Sequence, residues 1–299
     1  MKRNNNLITV LTPTFNRAYI LNKAYESLLN QKDKNFEWVV VDDGSKDNTE
    51  TLIKKYIKEN KIKINYIKKQ NGGKHTAINE GVKKAKGKYL VILDSDDIFT
   101  PNAISLINKY SEKYKNNENI CGFSFLKCYP DNKKIGREMD DDEIVSNHIE
   151  YRYNNNMYGD MAEVFITDIL KKYPFPIFKN ERFLSEALIW NRIALKYDTV
   201  YINEKLYIAD YLNDGLSNNF FKLVYNNPLG AMENANMFLI KKFKLPIRIK
   251  NAILFNGYKL RAKKKYGKFN VNSNNKILTI IMFIPGLLFY LLLITKNRG

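Results

Sequence analysis

Cysteine and histidine are scarce, with two of each in 299 residues. Cys121 and Cys128 are too few for a disulfide scaffold, and their spacing beside only two histidines makes no zinc pattern. Two reduced thiols near a strand are expected, as in a reducing compartment. No leader pattern of a basic residue followed by an apolar run opens the chain, because Lys2 to Asn6 leads straight into a short strand. The N-terminal part is therefore expected to stay in the cytoplasm. Acidic residues are also in deficit. Asp and Glu number 31 against 49 Lys and Arg, a net charge of +18. No internal repeat or low-complexity stretch is evident, and 44% apolar residues exclude disorder.

A strongly basic chain usually meets nucleic acid or an anionic membrane. The lysines are scattered over helices and form no aromatic-interleaved stripe, which argues against nucleic acid. Residues 277–295 carry no charge over nineteen positions, near the roughly 20 needed to cross a hydrocarbon core as a helix. Lys263, Lys264, Lys265, Lys268 and Lys276 precede this run, and Lys296 and Arg298 follow it. Pro285-Gly286 would kink it. A span, a re-entrant hairpin, an in-plane helix and a buried core helix are the open alternatives. With the basic flanks, a C-terminal tail on the cytoplasmic side of the cell membrane is expected.

The first hundred residues alternate strand and helix signals: strands at 7–12, 36–41, 62–67 and 89–93, helices at 18–31, 45–60 and 73–87. Short apolar strands alternating with helices predict an α/β fold, with a mostly parallel sheet covered on both faces. A helix at 101–114 and a strand at 120–129 follow, then a polar irregular stretch at 130–158 whose Asp140–Glu143 run reads as a solvated loop. Helices are expected at 162–173, 185–197 and within 228–265. The division predicted is one domain in two halves, 1–129 for donor binding and 130–227 for the acceptor and base, then a basic helical extension at 228–276 and the apolar segment 277–295.

Open α/β sheets bind ligands at the carboxyl ends of their strands, so residues 12–17, 42–45 and 94–97 should converge on one rim. Asp94-Ser95-Asp96-Asp97 places three carboxylates in four residues. Such groups repel unless a cation lies between them, and hard oxygen ligands favour Mg²⁺ or Mn²⁺ shared with phosphate oxygens. Neither a Walker sequence nor a GxGxxG fingerprint is present. The expectation is a metal-diphosphate bound outside the ATPase and dinucleotide routes.

Four blocks, taken together, resemble the family 2 glycosyltransferases: Leu11-Thr12-Pro13-Thr14-Phe15-Asn16-Arg17, Val39-Val40-Val41-Asp42-Asp43-Gly44-Ser45, Gly72-Gly73 with Ala77 and Asn79, and Leu93-Asp94-Ser95-Asp96-Asp97. They keep the family's order and spacing over about a third of the chain. The resemblance implies a GT-A fold and inverting transfer of a sugar from a nucleotide-diphosphate donor, a UDP-sugar first, to a glycan or lipid-linked acceptor. It implies donor binding by Thr12, Pro13, Thr14, Asn16, Arg17, Asp43, Gly73, Lys74, Asn79, Asp94 and Ser95. Among these, Asp43 reads the base and Asp94 lies on the ribose side. Asp96 would hold the metal, with Asp97 as helper.

Inverting displacement needs one base for the acceptor hydroxyl. Glu186 is the candidate, sharing a predicted helix face with Trp190 and Ile193, where partial desolvation would raise its pKa. The family block here reads Glu-Asp, three residues, then Trp-x-Arg. This chain keeps Trp190 and Arg192 but has Ser185 and Glu186 for the acid pair. A first-turn Glu complementing the helix dipole is the structural alternative. Asp160, either a helix cap or an acceptor contact, joins Trp190 on the acceptor side. Asp214-Gly215-Leu216-Ser217 resembles a donor-closing loop, although Asp-Gly is also an ordinary turn. His75 is expected at the surface, and His148 is expected to be structural. A non-catalytic nucleotide-sugar-binding or scaffold subunit of a membrane assembly is the competing function.

Overall fold

The computed structural model describes residues 7–209, 220–267, 269 and 271–296. The chain divides into two compact units. The first comprises Met1–Asn147, Met157–Pro174 and Ile193–Tyr211; the second comprises His148–Asn156, Phe175–Arg192 and Leu212–Gly299.

In the first unit, β1 (Ile8–Thr14), β2 (Phe36–Asp42), β3 (Ile64–Lys68) and β4 (Tyr89–Ile92) pair in parallel in the order β3-β2-β1-β4. The crossovers are α1 (Leu21–Leu29), α2 (Thr49–Glu59) and α3 (Lys74–Lys84). All seven residues of β2, FEWVVVD, are buried, because a central parallel strand is covered on both faces. The periodicity reading locates these elements within a few residues.

Beyond β4 the sheet is mixed. It continues through β8 (Met161–Ile166), β6 (Ile120–Cys128), β9 (Asp198–Ile208) and the short β5 (Ile98–Phe99), while β7 (Glu143–Ser146) pairs with β9. Strand β8 runs antiparallel to both β4 and β6. This corrects the helix expected at 162–173. MAEVFI forms a strand that completes the sheet, and only α5 (Thr167–Leu170) is helical there. The stretch read as irregular also contributes β7, held by ladder bonds to β9 that only the fold provides. The core of this unit gathers Trp38, Tyr89, Phe123, Phe125 and Tyr207 between α1, α4 (Ala103–Lys113) and the sheet. Each large apolar side chain so buried stabilises the fold by about 1.5–3 kcal/mol. Cys121 and Cys128 lie buried and unpaired in β6.

The second unit is helical. It contains a π-helical turn at Ile149–Asn154, all but the last residue of α6 (Ala187–Ile193), α7 (Phe220–Asn226), α8 (Pro228–Met237), α9 (Leu245–Tyr266), α10 (Lys276–Ile281) and α11 (Phe283–Lys296). Met232, Leu239, Ala252, Phe255, Leu278 and Leu293 form its core. Gly257 and Gly286 let α9 and α11 approach closely. A Cβ on Gly286 would stand 2.4 Å from Asn256 Cβ, and one on Gly257 would stand 2.4 Å from the Phe289 ring.

The apolar run 277–295, for which a span was one of the open alternatives, is divided between two helices. Pro285 lacks the N–H that would bond the Ile281 carbonyl, and the helix breaks between Ile281 and Phe283. Among the described residues no helix is long and apolar enough to cross a membrane.

Candidate active site

The strand order β3-β2-β1-β4 reverses direction after β1, which puts a crevice at the carboxyl ends of β1 and β4. Three loops meet there and are tied together. Asn16, in the left-handed region at φ 53°, donates its amide to Ser45 Oγ at 2.8 Å, and its Oδ1 accepts from the Lys46 amide. Asp43 donates its amide to the Thr14 carbonyl. Asp42 accepts from the Ser45 amide and from Tyr66 Oη, each at 2.7 Å.

Asp43 is buried, and its carboxylate organises the third loop. Its Oδ1 accepts from Lys69 Nζ at 2.6 Å and from the Gly72 amide at 2.9 Å; its Oδ2 accepts from the Gly73 amide at 2.7 Å. Gly73, at φ 93°, holds a conformation that a side chain would strain, and α3 starts there. A carboxylate offers about four lone-pair positions, so these three bonds leave one for a ligand.

The acidic loop follows β4. The Asp97 amide closes a turn on the Asp94 carbonyl. Lys74 Nζ pairs with Asp94 Oδ1 at 2.6 Å, whereas Arg17 stands 4.0 Å from Asp96 Oδ2. Burial would lift the Asp94 carboxyl, but Lys74 and Lys127 hold it below the ordinary carboxylate range. Burial and the charge of Asp94 lift Asp96 above that range, and the distant Arg17 compensates only in part. Asp97 is buried and hydrogen-bonds the Tyr207 hydroxyl, which also accepts from the Asp94 amide at 2.7 Å. Ser95 is buried within the same loop.

The other donor-side candidates divide by exposure. Thr12 is buried, and its hydroxyl accepts from Trp38 Nε1 at 2.9 Å, beneath the rim. Pro13 and Thr14 are buried as well, and Thr14 Oγ1 has no hydrogen-bond partner. Asn79 is half-buried on α3. His75 is buried, not at the surface as expected, because its position faces the sheet; burial drives the imidazole down to about 4. His148 is buried too, and burial with Arg152 beside it brings the ring to about 3.

Glu186 belongs to the second unit. It immediately precedes α6, where its carbonyl accepts from the amides of Ile189 at 2.9 Å and Trp190 at 3.2 Å. Its side chain is partly exposed. Trp190 is buried, with its ring edge-on to Phe175 at 6.1 Å, and Arg192 pairs with Glu233 at 2.6 Å. Asp160, in the first unit, is exposed and precedes the strand β8, so it caps no helix. Asp214-Gly215-Leu216-Ser217 lies outside the described residues.

Residue patterns did not point to Lys69, Lys127 or Tyr207. Lys127 stands over the Tyr207 ring at 4.2 Å. Tyr207 is 110 positions beyond Asp97, and nothing local marks it. Among the described residues no three His, Cys, Asp or Glu side chains form a metal-binding group. A cation here would have Asp96 as its protein ligand and would draw its other oxygens from a diphosphate. The hard, incompletely compensated carboxylate of Asp96 fits that role.

The description "Glycosyl transferase family 2" matches residues 9–169, which is 161 of 299 positions, more than half of the chain. An uncharacterized glycosyltransferase of Mycoplasma genitalium is 29% identical over 233 residues, covering 74% of this chain and 71% of that protein. The poly(ribitol-phosphate) beta-N-acetylglucosaminyltransferase TarP of Staphylococcus aureus is 36% identical over 119 residues, 38% of this chain. The chain spans only 36% of the length of TarP. Among solved structures, S. aureus TarS 1–349 in complex with UDP-GlcNAc aligns with a TM-score of 0.58 at 17% identity, covering 96% of this chain and 81% of that one. A mannosyltransferase of Pyrobaculum calidifontis, in complex with GDP-Man and Mn²⁺, gives the same TM-score at 13% identity, covering 95% and 86%. These structural likenesses speak for the fold alone, a GT-A fold. The chain belongs to glycosyl transferase family 2 and is a glycosyltransferase.

Proposed function

We propose that this protein transfers a sugar, with inversion, from a nucleotide-diphosphate donor to a hydroxyl of a glycan acceptor in surface-polysaccharide assembly. The observation that carries the reading is the tied rim of three loops, in which Asp43, Lys74, Arg17 and the acidic loop stand around one crevice. In this reading the remaining acceptor position of Asp43 takes an N–H of the base. Lys74, at the start of α3, orients the diphosphate, because an ammonium group at a helix N-terminus suits anions, and the Gly72-Gly73 loop held by Asp43 fixes where α3 begins. Asp96 holds a divalent cation, Mg²⁺ or Mn²⁺, which when bound supplies charge neutralisation for the departing diphosphate. Tyr207 and Asp97 hold the loop that presents Asp96.

Glu186 acts as the general base that takes the acceptor hydroxyl's proton. Its position immediately before α6 holds the residue by the backbone bonds of that helix's first turn. Asp160 and Trp190 belong to the acceptor side of the same proposal. A UDP-sugar is the favoured donor class, since UDP-GlcNAc is the ligand of the TarS complex. A lipid-linked acceptor and a place on the cytoplasmic side of the cell membrane complete the reading, supported by the exposed apolar helices of the second unit and the charge of +18.

The test is a melting-temperature screen of UDP-, GDP-, dTDP- and CMP-sugars with and without Mn²⁺. One donor should raise the melting temperature only with the cation present, by mass action. A protein that no donor stabilises under either condition would overturn the reading.

A further inference from the structure

The last two helices have two apolar faces. One is covered: Leu278, Gly286 and Leu293 are buried, with Gly286 and Phe289 packed on α9. The other is bare. Ile277, Ile280, Ile284, Leu288, Leu291 and Leu292 are 50 to 74% exposed. Their spacing of three and four residues keeps one stripe along a helix. The junction preserves that stripe, because the Met282 amide bonds the Leu278 carbonyl and the Gly286 amide bonds the Met282 carbonyl. Helical turns therefore continue across the break. Phe220 and Phe221 of α7 are also exposed, and Lys296 stands 4.6 Å over the Phe221 ring. Monomeric soluble proteins rarely leave so long an apolar stripe in water.

Charge selects the occupant. Residues 234–299 contain 14 Lys and Arg and no Asp or Glu, so most of the +18 resides in this stretch. Lys276 opens α10 and Lys296 closes α11, both exposed, at the two ends of the stripe. A second copy meeting the same face about a two-fold axis would bring these lysines against their own kind. An anionic lipid surface accepts both features, apolar side chains below the headgroups and ammonium groups among them.

We infer that α10 and α11 lie in the plane of an anionic membrane leaflet, with the Ile277–Leu292 stripe buried among the acyl chains and Lys276 and Lys296 at the headgroups. This deepens the membrane localisation proposed above. It states that the second unit is held on one leaflet and not through the bilayer, and that binding requires negatively charged lipid.

The experiment is flotation of the full chain with phosphatidylcholine vesicles and with phosphatidylcholine–phosphatidylglycerol vesicles. Three proteins are compared: the unaltered chain, Ile280→Ser/Ile284→Ser/Leu288→Ser, and Lys276→Gln/Lys296→Gln. All five positions are exposed, so both variants should melt as the unaltered chain does. The unaltered chain should float with the anionic vesicles, far less with the neutral ones, and be released by alkaline carbonate. The triple serine variant should bind at least about tenfold more weakly, since a tenfold change corresponds to only 1.4 kcal/mol of lost apolar transfer. The double glutamine variant should lose the preference for anionic lipid.

Equal flotation of the serine variant and the unaltered chain would overturn the inference. So would resistance to carbonate, which marks a span. A dimer in sedimentation velocity that the serine variant abolishes, without vesicle binding, would assign the stripe to a second copy. Donor-dependent melting shifts are measured on the same samples. If they persist while flotation fails, only the docking surface is wrong; if they are absent while flotation succeeds, only the proposed donor and cation reading is wrong.

Discussion

Asp96 and Asp97 are adjacent in sequence and differ in surroundings. Asp97 is buried against the Tyr207 hydroxyl, whereas Asp96 faces Arg17 at 4.0 Å and carries a carboxyl lifted by burial and by Asp94. Asp96→Ala should therefore abolish transfer and cation-dependent donor binding while leaving the melting temperature without ligand near normal; calorimetric titration with donor and Mn²⁺ reads this directly. Tyr207→Phe removes the hydroxyl that joins the Asp94 amide to the Asp97 carboxylate. Leaving those buried groups unpaired should cost about 1–3 kcal/mol of stability. It should also weaken donor affinity more than Phe substitution at an unrelated buried Tyr such as Tyr110, measured by the same titration. Glu186→Gln keeps size and the α6 backbone bonds but removes proton affinity. Transfer at saturating donor should fall about 10²–10⁴-fold with donor affinity unchanged. Near-normal turnover would move the base elsewhere, with Asp160 next to test.

Among the elements, α11 shows how an apolar run can belong to a core. Its composition suits a membrane, yet Gly286 and Leu293 are buried against α9 and the core of the second unit. Gly286→Val would place a branched side chain where even a Cβ stands 2.4 Å from Asn256 Cβ and 3.1 Å from the Ile253 carbonyl oxygen. Overpacking of this kind should destabilise the second unit by about 1–3 kcal/mol, seen as an early urea transition. By contrast, Ile284→Ser on the bare face should leave that transition in place. Deleting residues 277–299 would remove core as well as surface, so point substitutions on each face are the cleaner comparison. Strand β8 teaches the same lesson from the other direction. MAEVFI has enough apolar residues for a helix, but the edges of β4 and β6 offer ladder bonds that α5 alone could not replace.

Over the whole molecule, two buried histidines set a response to acid. Burial lowers His75 from 6.5 to about 4 and His148 to about 3. Between pH 6.5 and about 4 the unfolded chain binds more protons than the folded one, so stability is complete above 6.5 and is lost as pH falls. For His75 the drop of a few pKa units corresponds to about 3 kcal/mol over that window. Thermal unfolding followed from pH 7 to pH 4.5 should show a falling melting temperature. The decline should be shallower in His75→Gln, whatever that variant's absolute stability. An identical slope would mean that the imidazole is charged in the folded protein.

The first hundred residues were readable because their signals are local. Parallel strands buried on both faces are continuous apolar runs, and loops that carry carboxylates sit at their ends. Thus LITVLT, FEWVVV and YLVIL, with Asp42-Asp43 and Asp94–Asp97 behind them, sufficed for an α/β sheet and for the loops that meet at one rim of it. Tertiary structure decided what depends on partners distant in the chain. It placed Tyr207 under a loop 110 positions earlier and engaged Asp43 with Lys69 and the Gly72 and Gly73 amides. It also buried His75, turned 162–166 into a strand, and divided the apolar tail into a covered and a bare face. Composition states how much apolar surface a segment has; only packing decides which side of it is buried and which is left for another surface.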